Sequence, residues 1–151
     1  MIDGVRIKKL TTHSDDRGYF RELFRGDEKI FEAVGQTSAT KTYPGVIKAF
    51  HWHKYQDDFW YCASGMIRAV LHDLRDGSPT KGETNQYIMG DDAPLGLVIP
   101  RGVAHGYQVL GTTSALVLYH ATKEYDPKQP DEERIAFDDP AIGFDWAVQN
   151  R

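Results

Sequence analysis

From Val46 onward the chain never sustains an apolar pattern for more than about eight residues before a turn signal interrupts it. Runs at 46–53, 58–63, 66–73, 86–89, 95–99, 105–110 and 114–121 are divided by Pro44-Gly45, Ser64-Gly65, Gly77-Ser78-Pro79, Gly90-Asp91-Asp92, Pro100-Arg101-Gly102 and Gly111-Thr112-Thr113. Many short strands closed off by turns predict a β-sandwich or a closed barrel. No internal repeat, low-complexity segment or linker interrupts the pattern, and 151 residues suffice for one domain with one real core. A single domain over residues 1–151 is therefore expected.

One of these strands carries chemistry. His51 and His53 are two residues apart on it, so both imidazoles project from one face. Asp58 follows, and His105 comes just after the later apolar strand 97–99. Two histidines, an acid and a third histidine suit Fe, Mn, Ni, Co or Zn, and spacing does not choose among them. His-x-His alone is equally consistent with imidazoles that simply meet solvent on a half-exposed strand.

Composition excludes several classes. The net charge of −4 comes from interspersed acids and bases, with no basic stripe to track phosphate backbones, so nucleic acid is not an expected partner. No apolar run reaches membrane-span length, and the N-terminal residues lack the apolar region of a signal peptide, so a cytoplasmic protein without a membrane partner is expected. The lone Cys62 lies within an apolar strand and reads as a packed core thiol.

At the N-terminal end, residues 2–10 alternate weakly, and a polar turn closes at Gly18. Residues 19–24 predict a strand with Phe20, Glu22 and Phe24 on one face, where Glu22 is either an edge-strand charge or a ligand contact. One short helix is predicted over 27–34, with Asp27 as N-cap, Ile30, Phe31 and Val34 as the apolar stripe and Gly35 as terminator. After Lys123 the chain turns polar and proline-broken, and Phe137, Phe144 and Trp146 are expected to pin this tail to the barrel.

The spacing of the histidine stretch resembles the two-part motif of the cupin superfamily: Gly45, five residues, His51-x-His53, four residues, Asp58, six residues and Gly65, then Pro100-x-Gly102-x-x-His105. Asp58 stands where cupins usually carry Glu. Across nearly the whole chain the order of signatures is similar to the dTDP-4-dehydrorhamnose 3,5-epimerase family of that superfamily. The matching pieces are Asp16-Arg17-Gly18-Tyr19-Phe20-Arg21-Glu22, the run from Gly45 to His51, Asp73-Leu74-Arg75 with Ser78-Pro79-Thr80, the run from Ile99 to Gly106, Leu118-Tyr119, and the run from Asp138 to Trp146.

The resemblance implies an all-β double-stranded β-helix, the cupin jelly-roll barrel, here with the one short helix. It also implies a homodimer, with the N-terminal strand as the pairing edge. The implied activity is isomerisation or epimerisation of a nucleotide-linked 4-keto-6-deoxy sugar in polysaccharide or deoxysugar biosynthesis. A base removes a proton beside the ketone, and an acid on the opposite ring face returns one. Positions carried over are His51 as base, Tyr119 as acid, Lys48 for the enolate oxygen, Arg17 at the diphosphate, Glu22 and Gln36 near the nucleobase, and His105 among the substrate contacts. Strict alternation from His51 puts Lys48 on the other face, so its role requires a bulge near Ala49.

Three departures keep a metal reading open beside the metal-free one. The family's base-orienting aspartate beyond the Asp145-Trp146 signature is expected to be missing, Asp58 replaces a lysine, and His53 replaces a glutamine. A carboxylate repels a developing oxyanion. The same two replacements complete a candidate site at His51, His53, Asp58 and His105 for a divalent transition metal, which would act as a Lewis acid. Bound to it, His51 is no longer a free base, and Tyr119, His120 or Asp57 must move the protons. No cofactor is required in the metal-free reading. A metal-dependent cupin enzyme acting on another small oxygenated substrate, such as a dioxygenase or a sugar isomerase, is the alternative among enzymes, and a non-catalytic binder of sugar nucleotides, keeping Arg17 and Glu22, is the alternative from another class.

Overall fold

The computed structural model describes residues 1–31 and 33–148. Its strands are β1 (Arg6–Lys9), β2 (His13–Asp15), β3 (Gly18–Phe20), β4 (Gln36–Thr42), β5 (Ile47–Trp52), β6 (Asp58–Ser64), β7 (Met66–Asp73), β8 (Thr84–Gly90), β9 (Leu95–Ile99), β10 (Val103–Leu110), β11 (Ala115–Ala121) and β12 (Glu133–Arg134). Two five-stranded sheets form from them, ordered β1-β9-β6-β11-β4 and β12-β5-β10-β7-β8, and β2 pairs with β3 in a separate hairpin. Every pairing is antiparallel. This is the expected jelly-roll barrel.

Alternation explains why the sheets face each other. On β6, Trp60 and Cys62 point inward while Phe59 and Tyr61 point out; on β7, Ile67, Ala69 and Leu71 point inward. With Leu97, Ile99, Val103, Tyr107, Val109, Ala115 and Val117 they fill the space between the sheets. Burying a side chain of this size contributes about 1.5–3 kcal/mol. Cys62 belongs to this core, and burial pushes its thiol up to about 12.

Both outer faces are covered as well, which is why several strands are apolar on both sides. Leu10, Leu23, Phe24, Ile30 and Phe31 pack over Phe59, Tyr61 and Val98 on the first sheet. The tail covers the second sheet: Trp146 meets the Phe50 ring at 5.6 Å and Phe144 at 4.8 Å. Arg68 reaches through to the Trp146 carbonyl and stacks on the Phe144 ring. The tail is therefore pinned as expected by Phe144 and Trp146, whereas Phe137 stays exposed and contributes its carbonyl to the Trp146 indole N–H at 2.9 Å.

The N-terminal expectations need correction. No α-helix forms among the described residues of 27–34: a 3-10 turn spans Gly26–Glu28 and stops because Lys29 adopts φ 51°, in the left-handed region. Glu32 of the expected helix lies outside the described residues. Ile30 and Phe31 serve the outer-face cover rather than a helical stripe. The strand expected at 19–24 ends at Phe20, which is exposed, while Phe24 turns onto Phe59 at 5.1 Å, so Phe20 and Phe24 do not share a face.

Candidate active site

β5 and β10 run side by side with His51 opposite His105. Two residues of β10 onward, Tyr107 lies opposite Lys48, so β5 spends one more residue than its partner over the same span. That is the bulge near Ala49 which the Lys48 role requires, and it turns Lys48 to the side of His51. Gly106 makes room for it: a Cβ there would lie 2.3 Å from Ala49 Cβ and 2.7 Å from the Lys48 carbonyl oxygen.

A cleft of about 930 Å³ opens between the two sheets, with His51, Lys48 and Ile47 from one and Trp60, Val117, Tyr119 and Gln36 from the other. His51 and Tyr119 thus belong to facing walls. The Lys48 ammonium donates to Thr40 Oγ1 at 2.8 Å across the cleft. Its outer rim is a strap from Lys123 to Ile135, which the sequence reading did not anticipate as a wall. Pairing of β12 with β5 sets Arg134 opposite His51, and the Asp131 carboxylate accepts the Lys54 and Tyr55 backbone N–H groups at 2.8 and 2.9 Å. A two-residue strand in a proline-broken polar tail carries no hydrophobic signature that would reveal it.

Behind His51 lies a tight ionisable cluster. The ligand-type atoms of His51, His53, Asp58 and His105 all lie within 4.8 Å of one another. His51 meets the His105 ring at 4.1 Å and the His53 ring at 5.3 Å, and Trp60 closes the other side at 6.0 Å. His105 donates from Nδ1 to the Val103 carbonyl at 2.8 Å, and His53 donates from Nδ1 to the Asp131 carbonyl. Their Nε2 atoms consequently face Asp58 Oδ2, at 3.5 and 3.8 Å. Asp58 also accepts from Gln56 Nε2 at 2.8 Å and Trp60 Nε1 at 3.3 Å.

Burial dominates the electrostatics. It pushes His51 down to about 2, helped by the neighbouring His105 and His53 imidazoles and opposed by Asp58. Burial by itself raises Asp58, but its contacts with His105, His53 and Gln56 outweigh this and hold the carboxyl at about 2. The centre therefore keeps an ionised carboxylate beside a neutral His51. Its donor set, three imidazoles and a carboxylate, is chemically able to hold a divalent transition metal.

Other sequence candidates fall elsewhere. His105 is 2% exposed and sits behind His51 rather than on the cleft wall. Arg17 and Glu22 stand outside the cleft, Arg17 salt-bridged to Asp15 and Glu22 facing Arg25 at 3.6 Å. Arg21 ties their segment to Tyr61, on the outer face of the first sheet. His120 points to the same outer side, among Phe24 and Phe59, and Asp57 is engaged by the Arg101 guanidinium at 2.9 and 3.1 Å. Neither lines the cleft, so of the three proton carriers considered for a metal-bound site Tyr119 alone does.

Comparison with known proteins agrees with the architecture. A crystal structure of a dTDP sugar isomerase from Desulfovibrio desulfuricans G20 superposes with a TM-score of 0.90 at 28% identity, covering 99% of this chain and 94% of that one. The dTDP-6-deoxy-D-glucose-3,5-epimerase of Legionella pneumophila Philadelphia 1, solved in complex with dTDP-4-keto-L-rhamnose, gives 0.87 at 28% identity, over 99% of this chain and 82% of that one. The spore coat polysaccharide biosynthesis protein SpsL of Bacillus subtilis (strain 168) is 57% identical over 151 residues, the full length of both chains. The family model for dTDP-4-dehydrorhamnose 3,5-epimerase matches residues 1–151, and the chain belongs to that family.

Proposed function

We propose that the protein epimerises a nucleotide-linked 4-keto-6-deoxy sugar, with His51 as base and Tyr119 as acid. The observation that carries this reading is the opposition of the two side chains, one from each sheet, across a single cleft. Inversion needs such an arrangement: a proton must leave one face of the ring and another must arrive on the other.

The ketone acidifies the neighbouring C–H. His51 is neutral and takes that proton through its ring nitrogen lone pair; burial opposes the imidazolium that forms, and the Asp58 carboxylate behind the ring supports it. The electron pair of the broken C–H bond moves into the enolate, whose oxygen the Lys48 ammonium meets from its anchor on Thr40. Tyr119 O–H then delivers a proton to the opposite face. Solvent returns a proton to Tyr119 and removes one from His51, which closes the cycle without a cofactor. Gln36 is available to the nucleotide end, since it lines the same cleft.

A homodimer fits this reading. β1 forms an open edge of its sheet, and Tyr19 and Phe20 on the β2–β3 hairpin are 51% and 62% exposed. Because Arg17 and Glu22 lie outside their own chain's cleft, contact with a bound nucleotide falls to them most simply across a subunit boundary. No helix among the described residues is long and apolar enough to cross a membrane. We assign the protein to the cytoplasm, where nucleotide sugars are made.

The test is incubation with dTDP-4-keto-6-deoxyglucose in deuterated water, followed by NMR. Deuterium at C3 or C5 with inverted configuration is the expected result. Saturable binding of the sugar nucleotide with no deuterium uptake would make the protein a binder instead.

A further inference from the structure

We propose that Tyr107 is a positioning residue for Lys48: with Thr40 and Thr42 it forms a chain of hydroxyls that holds the ammonium at the level of the enolate oxygen, between base and acid. The inference rests on the epimerase reading above, in which Lys48 meets that oxygen.

Lys48 needs such a device. Its side chain is long and exposed, so an untethered ammonium would sample many rotamers, whereas a developing charge is stabilised by a donor already in place. The ammonium donates to Thr40 Oγ1 at 2.8 Å. Thr40 belongs to β4, in the sheet that carries Tyr119, and stands opposite Val117. Lys48 therefore bridges from the His51 wall of the cleft to the Tyr119 wall. An enolate oxygen lies in the plane of the sugar ring, between the face that loses a proton and the face that gains one, which is the level a bridging ammonium occupies.

Thr40 is itself held. It shares the inward face of β4 with Thr42, and the Tyr107 phenol comes between the two hydroxyls. Tyr107 Oη meets Thr42 Oγ1 at 2.7 Å and also the Thr40 hydroxyl. The β5–β10 register sets Tyr107 opposite Lys48, on the same face of their sheet. Its ring is 4% exposed and stands edge-on to Trp60 at 5.6 Å, while the His51 ring rests on the same indole at 6.0 Å. The base and the ammonium are thus both referred to one packed ring.

The sense of the bonds follows from the cation at the end of the chain. An ammonium offers donors alone, so Thr40 Oγ1 accepts from it and turns its own proton to Tyr107, whose O–H donates to Thr42. Burial, against the pull of the two threonine hydroxyls, raises the Tyr107 phenol above its ordinary value and keeps that proton in place. A hydroxyl that donates is a better acceptor, so Tyr107 tightens the hold of Thr40 on Lys48. Without the phenol oxygen the Thr40 hydroxyl loses its own acceptor and turns, and the ammonium moves with it.

The test uses Tyr107→Phe, which keeps the ring against Trp60 and removes only the hydroxyl. NMR relaxation of the Lys48 side-chain nitrogen in the free protein reads the hold directly. Order of the ammonium should fall in Tyr107→Phe and in Thr40→Val and be restored in Thr40→Ser. An ammonium as ordered in Tyr107→Phe as in the parent would overturn the proposal, whatever the activity. Deuterium exchange on dTDP-4-keto-6-deoxyglucose then reads the consequence. Tyr107→Phe should lower kcat about 10-fold with KM unchanged, because the enolate charge develops only after the ground state. Lys48→Met should lower kcat about 100-fold, and the double variant Tyr107→Phe/Lys48→Met should be no slower than Lys48→Met alone. A Tyr107→Phe loss that persists in full in the Lys48→Met background would mark a merely structural role and overturn the positioning. Parental exchange in Lys48→Met would instead overturn the use of Lys48 in the epimerase reading, and the relaxation result would still decide the hydroxyl chain.

Discussion

Asp73 shows how much one side chain can hold. At the end of β7 its carboxylate accepts from Arg75 Nε and Nη2 at 2.8 Å each, from Ser78 Oγ at 2.6 Å and from Thr80 Oγ1 at 2.7 Å, so the loop between β7 and β8 closes around it. These bonds, led by Arg75, hold the carboxyl well below the usual range. The sign follows directly. The unfolded chain binds the proton more readily than the native one, so the stabilisation is complete above the ordinary carboxylate pKa of about 4 and is lost progressively as pH falls below it. Asp73→Asn should cost about 3 kcal/mol at pH 7, read from urea unfolding. The variant should also lose less stability than the parent between pH 5 and pH 3. At this scale the sequence was informative wherever spacing sets convergence: His51, His53, Asp58 and His105 meet because strand alternation and the β5–β10 pairing bring them together. Arg134 and Asp131 were not legible, since their approach depends on a long-range pairing from an irregular tail.

The bulge on β5 decides which side Lys48 presents to His51. Gly106 opposite it has no room for a side chain, because Ala49 Cβ and the Lys48 carbonyl already occupy the space. Gly106→Ala is expected to push β5 outward and destabilise the fold by about 1–3 kcal/mol. It should also lower deuterium exchange by about 100-fold, since Lys48 and His51 lose their mutual position. A variant that unfolds more easily yet exchanges at the parental rate would separate the bulge from the chemistry. Strands were legible where alternation involves apolar side chains, and β7 and β9 have the bounds the sequence predicts. β4 was not, because its sequence, QTSATKT, presents polar and small residues to both sides at the edge of the sheet. The helix expected at 27–34 failed for a tertiary reason. Ile30 and Phe31 gain more from covering Phe59 than an isolated helix of eight residues could supply.

For the whole molecule, the barrel is a sandwich with both outer faces roofed, one by the N-terminal segment and the other by the tail. Trp146 anchors the second roof, so Trp146→Ala should cost about 3–5 kcal/mol. Proteolysis of the tail should then begin at lower temperature than unfolding of the barrel. The barrel also dictates where chemistry can occur. Its facing sheets oppose His51 to Tyr119 with Lys48 on the His51 side, an arrangement suited to the proposed movement of a proton through the plane of a sugar ring. The most direct measurement of that claim compares His51→Asn with Tyr119→Phe on dTDP-4-keto-6-deoxyglucose in deuterated water, reading exchange and inversion in one NMR time course. Tyr119→Phe should retain exchange and lose inversion, because His51 still removes the proton and returns a deuteron to the same face. His51→Asn should lose both. Exchange surviving in His51→Asn, or inversion surviving in Tyr119→Phe, would contradict the assignment of base and acid to opposite walls of the cleft.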